Sequence, residues 1–382
     1  MKKLDRKGLR TWIEINKKAI KHNFLVFRSL INKKTKFMAV IKSNAYGHSF
    51  IDFAFEMEKL KADFLGVDSI TEGLALRKEG IRLPILVLGY TLPEMVYVAA
   101  ENNISLSVST FESLQYIVKN QKKLKKTLNI HIKVDTGMHR QGFLMSDSKK
   151  VLEYLSSKLN NKIHVEGLFT HFATAKNPSF PKHTKGQIDE FKLWINVFKQ
   201  AGFNPISHSA ATAGTILFPE AHFDMVRVGV GLYGLWPAKE VKTAFEKRIS
   251  LMPILSWKSL ISGIKKLPKG SRLGYDLTEF LSKDSTVAVV PIGYWHGYPR
   301  SLSSKGVMLV KGVECKVLGR VSMDMICIDV SKVKNLHVGD EVKVIGNDSN
   351  STCSMEGISG ILDVSWYETV TRLNPLIKRF YI

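Results

Sequence analysis

From residue 37 onward the chain repeats one motif: a short, continuously apolar run, then a loop, then a stretch whose apolar positions recur at helical spacing among Lys and Glu. That pattern predicts βα units, with strands over residues 37–42, 63–69, 84–89, 104–109, 129–135, 165–171, 205–209 and 225–230. Helices are expected between them, over 51–61, 71–80, 93–102, 110–120, 147–159 and 186–202, and one more over 17–31 precedes the first strand. Eight such units, with strands apolar on both faces, predict a (β/α)8 TIM-type barrel; a doubly wound open sheet is the structural alternative. After about residue 248 the texture changes to β-branched runs split by turn residues, at 286–292, 306–310, 314–318, 325–330 and 341–345. The expected organisation is α/β: an N-terminal barrel over 1–248 followed by a predominantly β C-terminal domain over 249–382.

Composition narrows the function classes. Forty-five per cent hydrophobic residues and a mean hydropathy of −0.03 supply enough apolar surface for a large core, which excludes wholesale disorder. The net charge of +22 permits binding to nucleic acid or anionic lipid, but the excess is dispersed lysine. Its densest run, Lys119 to Lys126, reads as a solvated helix end, so no specific nucleic-acid partner is expected. Cys315, Cys327 and Cys353 have no metal-ligand spacing, and free thiols in a reducing compartment are expected, with no metal. The start is charged and interrupted, and no apolar run reaches the ~18 residues of a membrane span. A cytoplasmic address with no membrane association is the expectation.

In a barrel the carboxyl ends of the strands carry the reactive groups. Lys42 ends the first run, Lys133, Asp135 and Arg140 follow the fifth, His171 ends the sixth, Ser209 the seventh, and Arg227 lies in the eighth. Each has an ordinary reading as an ion-pair partner or a core residue. A half-buried lysine is also a nucleophile able to form an imine, and the glycines after Arg227 suit close approach to a phosphate.

The ordered set Lys42-Ser43-Asn44-Ala45-Tyr46-Gly47-His48, Lys133-Val134-Asp135-Thr136-Gly137-Met138-His139-Arg140, Thr170-His171-Phe172-Ala173, Arg227-Val228-Gly229, Gly293-Tyr294 and Ser322-Met323-Asp324 resembles the alanine racemases. The resemblance runs from Thr11-Trp12 to the Tyr367 and Arg379 region. It implies a pyridoxal 5′-phosphate enzyme that is a homodimer, interconverts L- and D-alanine and supplies D-alanine for peptidoglycan. By the same resemblance Lys42 is the cofactor-linked base and Tyr275, contributed by the partner subunit, the second base. It further implies that Tyr46, Ser209, Gly229, Val230 and Tyr367 hold the phosphate, that His171 and Arg227 contact the cofactor ring, and that Arg140, Met323 and Tyr294 lie on the substrate side. Lys133 matches a lysine that is carbamylated in some members. His139, His208 and Trp295-His296 depart from the pattern.

Two flanking bases suit racemisation, because a proton must leave one face of a planar centre and return on the other. Arg227, a permanent donor, would leave the pyridine nitrogen unprotonated, against transamination. Rival readings are a serine or broad-specificity racemase, a decarboxylase on the same barrel, and a cofactor-carrying binding protein.

Overall fold

A computed structural model describes residues 5–347 and 351–382. The chain divides into two compact units, one holding Ile20–Ala45 and Phe50–Leu251, the other the chain up to Ala19, Tyr46–Ser49 and Met252–Ile382.

The first unit is the barrel. Its eight strands are Lys36–Val40, Phe64–Val67, Ile85–Val87, Ile104–Val108, Leu128–Lys133, Ile163–Phe169, Ile206–His208 and Met225–Val228, numbered one to eight below. Strands one to seven pair parallel in sequence order, and strand eight pairs parallel with strand one, Met38 opposite Arg227. The sheet therefore curls round to a seam between strands seven and eight. There the Asp224 N–H donates to the Ser207 carbonyl (3.0 Å) and the Arg227 N–H to the Ala210 carbonyl (2.9 Å). That seam rules out the open doubly wound sheet. Met38, Phe64, Leu86 and Met225 fill one layer of the interior, and helices cover the outside, which is why the strands read as unbroken apolar runs.

The helices begin where their caps allow. The Ser69 and Thr110 hydroxyls accept from Glu72 and Ser113 N–H, closing the first turns of Ile70–Lys78 and Phe111–Asn120. The long helix Pro181–Gln200 starts five residues before the expected one. Proline at its first position needs no hydrogen-bond acceptor, and Phe191, Trp194 and Phe198 bury its inner face.

In the second unit a nine-stranded sheet runs in the order Gly263–Leu267, Ser285–Val290, Ile326–Asp329, Val313–Leu318, Val307–Val310, Glu341–Ile345, Leu255–Leu260, Thr11–Ile15 and Arg379–Tyr381. The N-terminal strand is thus held by C-terminal ones: Ile13 faces Trp257 in an antiparallel pair and Arg379 in a parallel one. Two helices, Met355–Leu362 and Trp366–Thr371, add to the strands foreseen. No helix among the described residues is long and apolar enough to cross a membrane.

Strand one ends at Val40, and Lys42 opens a turn, Lys42–Gly47, rather than closing the strand. The turn is left-handed: φ is +56° at Ser43, +57° at Asn44, +50° at Ala45, +52° at Tyr46 and +84° at Gly47. Each non-glycine residue there costs roughly 1–2 kcal/mol, so the turn must be held from outside. Glu72 accepts from the Ser43 N–H (2.8 Å), Asn44 Oδ1 accepts from the Phe50 N–H (3.0 Å), and the Arg379 guanidinium donates twice to the Gly47 carbonyl (3.0 and 3.1 Å). A Cβ on Gly47 would lie 2.2 Å from the Val370 carbonyl oxygen, whereas Gly80, at φ +86°, has nothing within 4 Å. Gly47→Ala is expected to cost about 2–3 kcal/mol and Gly80→Ala only about 1, read as shifts of the urea midpoint; equal shifts would show that the contact with Val370 is not limiting.

Candidate active site

The polar residues expected at strand ends converge on the carboxyl face of the barrel. Lys42 follows strand one, and its Nζ lies 3.0 Å from Asp68 Oδ1 in a half-exposed pair. Lys133 is the last residue of strand five; it is buried and donates to Gln141 Oε1 at 2.9 Å. His171 comes two residues after strand six. Arg227 is inside strand eight and buried, donating to the carbonyls of Thr170 (2.7 Å) and Ser209 (2.9 Å), to His208 Nδ1 (2.8 Å) and, at 3.4 Å, toward His171 Nδ1.

Burial, with the neighbouring cations second, sets the protonation of the mouth. Burial first, then Arg140 and Arg227, lowers the Lys133 amine to about 8. Burial, then Arg227 and Arg140, pushes His171 down to about 3, so its imidazole is neutral at pH 7. Burial alone lowers Arg227 to about 9, which still leaves it protonated at that pH. Lys133, Arg140, Gln141 and His171 line one cleft. Its floor is the loop after strand five, where the Asp135 carboxylate accepts N–H groups from Gly137, Met138 and His139 at 2.9–3.0 Å. Burial opposes the Asp135 charge, but those three donors hold its carboxyl below the usual range. His139 sits at φ +54°, which explains why glycine suits that position and puts a local strain on this chain.

The loops after strands seven and eight carry two buried hydroxyls, Ser209 and Thr212. Ser209 is fully buried and its hydroxyl donates to the Ala221 carbonyl at 2.9 Å, so its hydrogen is committed within the wall. Three residues on, Thr212 opens the short helix Thr212–Leu217. Its Oγ1 accepts from the N–H groups of Gly229 (3.1 Å) and Gly231 (3.4 Å), and among the described residues no acceptor takes the Thr212 hydroxyl hydrogen. Val230 opens the turn Val230–Tyr233, in which a Cβ on Gly231 would lie 2.3 Å from Phe27 and 2.9 Å from the Thr212 methyl. Thr212 is thus a second hydroxyl in this loop, beside the Ser209 expected from the sequence. His208 is in direct contact with Arg227.

The remaining candidates belong to the other unit. Tyr46 and Tyr367 face each other, ring centroids 6.1 Å apart, and burial raises the Tyr367 phenol above its ordinary range. Tyr275 lies in a turn after Gly274, 70% exposed, beside an Arg320–Asp276 ion pair at 3.1 Å. Tyr294 and Met323 are adjacent because the N–H groups of Tyr294 and Trp295 donate to the carbonyls of Ser322 and Met323 (3.1 and 3.2 Å). Gly293 allows this approach, since a Cβ there would be 2.1 Å from the Ser322 oxygen. His296 turns inward and accepts from the Gly293 N–H at 3.1 Å.

A neutral His171 implies a pH dependence. Its folded pKa is far below the ~6.5 of the unfolded chain, so the unfolded state binds the extra proton and stability falls as pH drops from about 6.5 toward 3. The melting temperature is expected to decline over that window, and less steeply in His171→Asn; parallel curves would remove His171 as a contributor.

Residues 15–237 match the family model described as the alanine racemase N-terminal domain, and residues 254–381 match the alanine racemase C-terminal domain. An alanine racemase of Methanococcus maripaludis is 39% identical over 372 residues, covering 97% of this chain and 98% of the relative. Among solved structures, an alanine racemase of Clostridium difficile 630 aligns with a TM-score of 0.92 at 33% identity, covering 98% and 96% of the two chains. A histidine racemase of Leuconostoc mesenteroides aligns at 0.87 and 28%, covering 98% of this chain and 99% of that one. With both domains matched in order along nearly its whole length, the chain belongs to the alanine racemase family.

Proposed function

We propose that this protein interconverts L- and D-alanine using pyridoxal 5′-phosphate and two bases, Lys42 and Tyr275 of the partner subunit. The observation that carries the reading is a buried arginine, not a carboxylate, in strand eight at the mouth that Lys42 also flanks. The donor set fits the cofactor: an amine for the covalent link, a guanidinium for a ring nitrogen, and a glycine-lined turn with an uncommitted threonine hydroxyl for a phosphate. When bound, the cofactor withdraws electron density from the α-carbon of an attached amino acid and weakens its C–H bond.

The protein's residues do the rest. Lys42 would hold the cofactor covalently, and its amine, when free, would take or return the α-proton on one face. Tyr275 of the partner subunit does the same on the other, so each turnover leaves one base protonated and the other not, and solvent resets them. Arg227 would donate to the ring nitrogen without surrendering a proton, which would disfavour proton return at the wrong carbon. The neutral His171, with Nδ1 3.4 Å from Arg227, would lie against the ring. Ser209, Gly229, Val230, Tyr46 and Tyr367 would hold the phosphate, joined by the Thr212 hydroxyl. Arg140, Met323 and Tyr294 serve the substrate side. Lys133, its amine lowered to about 8 beside Arg140, is the position for a carbamate, which would turn a repelling cation into an attracting anion.

Tyr275, Trp295, Met323 and Met325 are each more than half exposed, a concentration of large apolar groups that supports coverage by a second copy. Three free thiols suit a cytoplasmic enzyme, with D-alanine destined for peptidoglycan. The arginine in strand eight disfavours a decarboxylase. The histidine racemase of the same fold favours keeping other amino acids in the assay.

Lys42→Ala is expected to lose the visible absorption of the bound cofactor. Tyr275→Phe should keep that absorption yet lose about 100-fold or more of its rate chiefly from L to D, read by solvent-deuterium incorporation from each enantiomer. Full activity both ways would remove the two-base assignment. Ser209→Ala and Thr212→Val should each weaken cofactor retention about tenfold, measured by dialysis; unchanged retention in either variant would remove that hydroxyl from the phosphate site.

A further inference from the structure

Past Arg227 a row of buried polar side chains continues through the barrel interior, and none of the roles above uses it. His208 Nδ1 is 2.8 Å from Arg227 Nη1, and His208 Nε2 is 2.9 Å from His131 Nδ1 on strand five. His131 Nε2 is 2.9 Å from Glu166 Oε2 on strand six, and that oxygen also accepts from the Ser105 hydroxyl at 2.6 Å. Both imidazoles are fully buried. Gly167 makes room for the row, since a Cβ there would lie 2.0 Å from His131 Nδ1.

Donor and acceptor rules leave one way to place the protons. A guanidinium only donates, so His208 Nδ1 accepts and its hydrogen sits on Nε2. That N–H needs His131 Nδ1 as acceptor, so His131 carries its hydrogen on Nε2 and donates it to the Glu166 carboxylate. Burial, the largest cause in each case, lowers both imidazoles and keeps them neutral. The row is then a cation and an anion joined by two neutral rings, every donor pointing toward Glu166.

We propose that Glu166 and His131 are positioning residues, locking the His208 tautomer so that its Nδ1 always accepts from Arg227. The groups facing Arg227 are His208, His171, His131 and Lys133, with the Thr170 and Ser209 carbonyls. Among the described residues none of its direct partners is a carboxylate, and the row reaches one only at Glu166, two rings away. What Arg227 is held in place for rests on the function proposed above; the relay does not.

The test is a long-range proton–nitrogen correlation spectrum of the holoprotein with ¹⁵N-histidine, assigned through His131→Gln and His208→Gln. Both rings are expected to be neutral with hydrogen on Nε2 from about pH 6 to 8; a charged ring, or hydrogen on Nδ1 of either, overturns the relay. Glu166→Leu removes the acceptor, and the His208 nitrogens are expected to shift although Glu166 does not touch them; unchanged His208 signals in the folded variant overturn the coupling. If that variant does not fold, Glu166→Gln decides, because its amide oxygen keeps the acceptor and loses only the charge. Its tautomers should persist, and hydrogen on Nδ1 of either ring overturns the lock. Absence of any racemase activity would sink the proposed function and leave the nitrogen spectra to judge the relay.

Discussion

Arg227 performs two tasks through two ends of one residue. Its backbone N–H helps close the seam between strands seven and eight, and its side chain places a cation in the interior beneath the barrel mouth. A buried guanidinium costs several kcal/mol unless its donors are met, and here two carbonyls and an imidazole meet them. Burial first, and that charge after it, set the protonation of the site. His171 is driven neutral and Lys133 is lowered, with burial and the neighbouring cations acting in the same direction.

The loops around this charge are strained, and each strain is held by an anchor outside the strained residues. The left-handed turn after Lys42 is gripped by Glu72 and Arg379. The loop after strand five, with His139 in a left-handed conformation, is gripped by a single carboxylate taking three N–H groups. Unusual backbone of this kind persists only when surrounding contacts over-determine it, and it fixes where the adjoining side chains emerge. Here those side chains are Lys42, Tyr46 and Arg140.

The site residues were unequally legible. Lys42, Lys133, His171 and Arg227 could be picked out because each interrupts or follows an apolar run, and in a parallel barrel such positions lie at the mouth. Thr212 could not be picked out from sequence, because its contact with the Gly229 and Gly231 N–H groups exists only in the fold. His208 reads in sequence as a substituted position and in the fold as a partner of Arg227. Tyr275, Tyr294 and Met323 carry no periodicity signal at all and were visible only through the resemblance.

The amino-acid sequence by itself determined the eight-fold alternation of strand and helix, since strands covered on both faces must be apolar throughout and helices on the outside must show a 3.6-residue period. It also determined the family, through short motifs kept in order. Only the tertiary structure decided that Thr11–Ile15 pairs with strands from the far end of the chain, and that Glu166, His131, His208 and Arg227 form one row. These contacts join residues 19 to several hundred positions apart, and local patterning carries no information on register across a closed sheet.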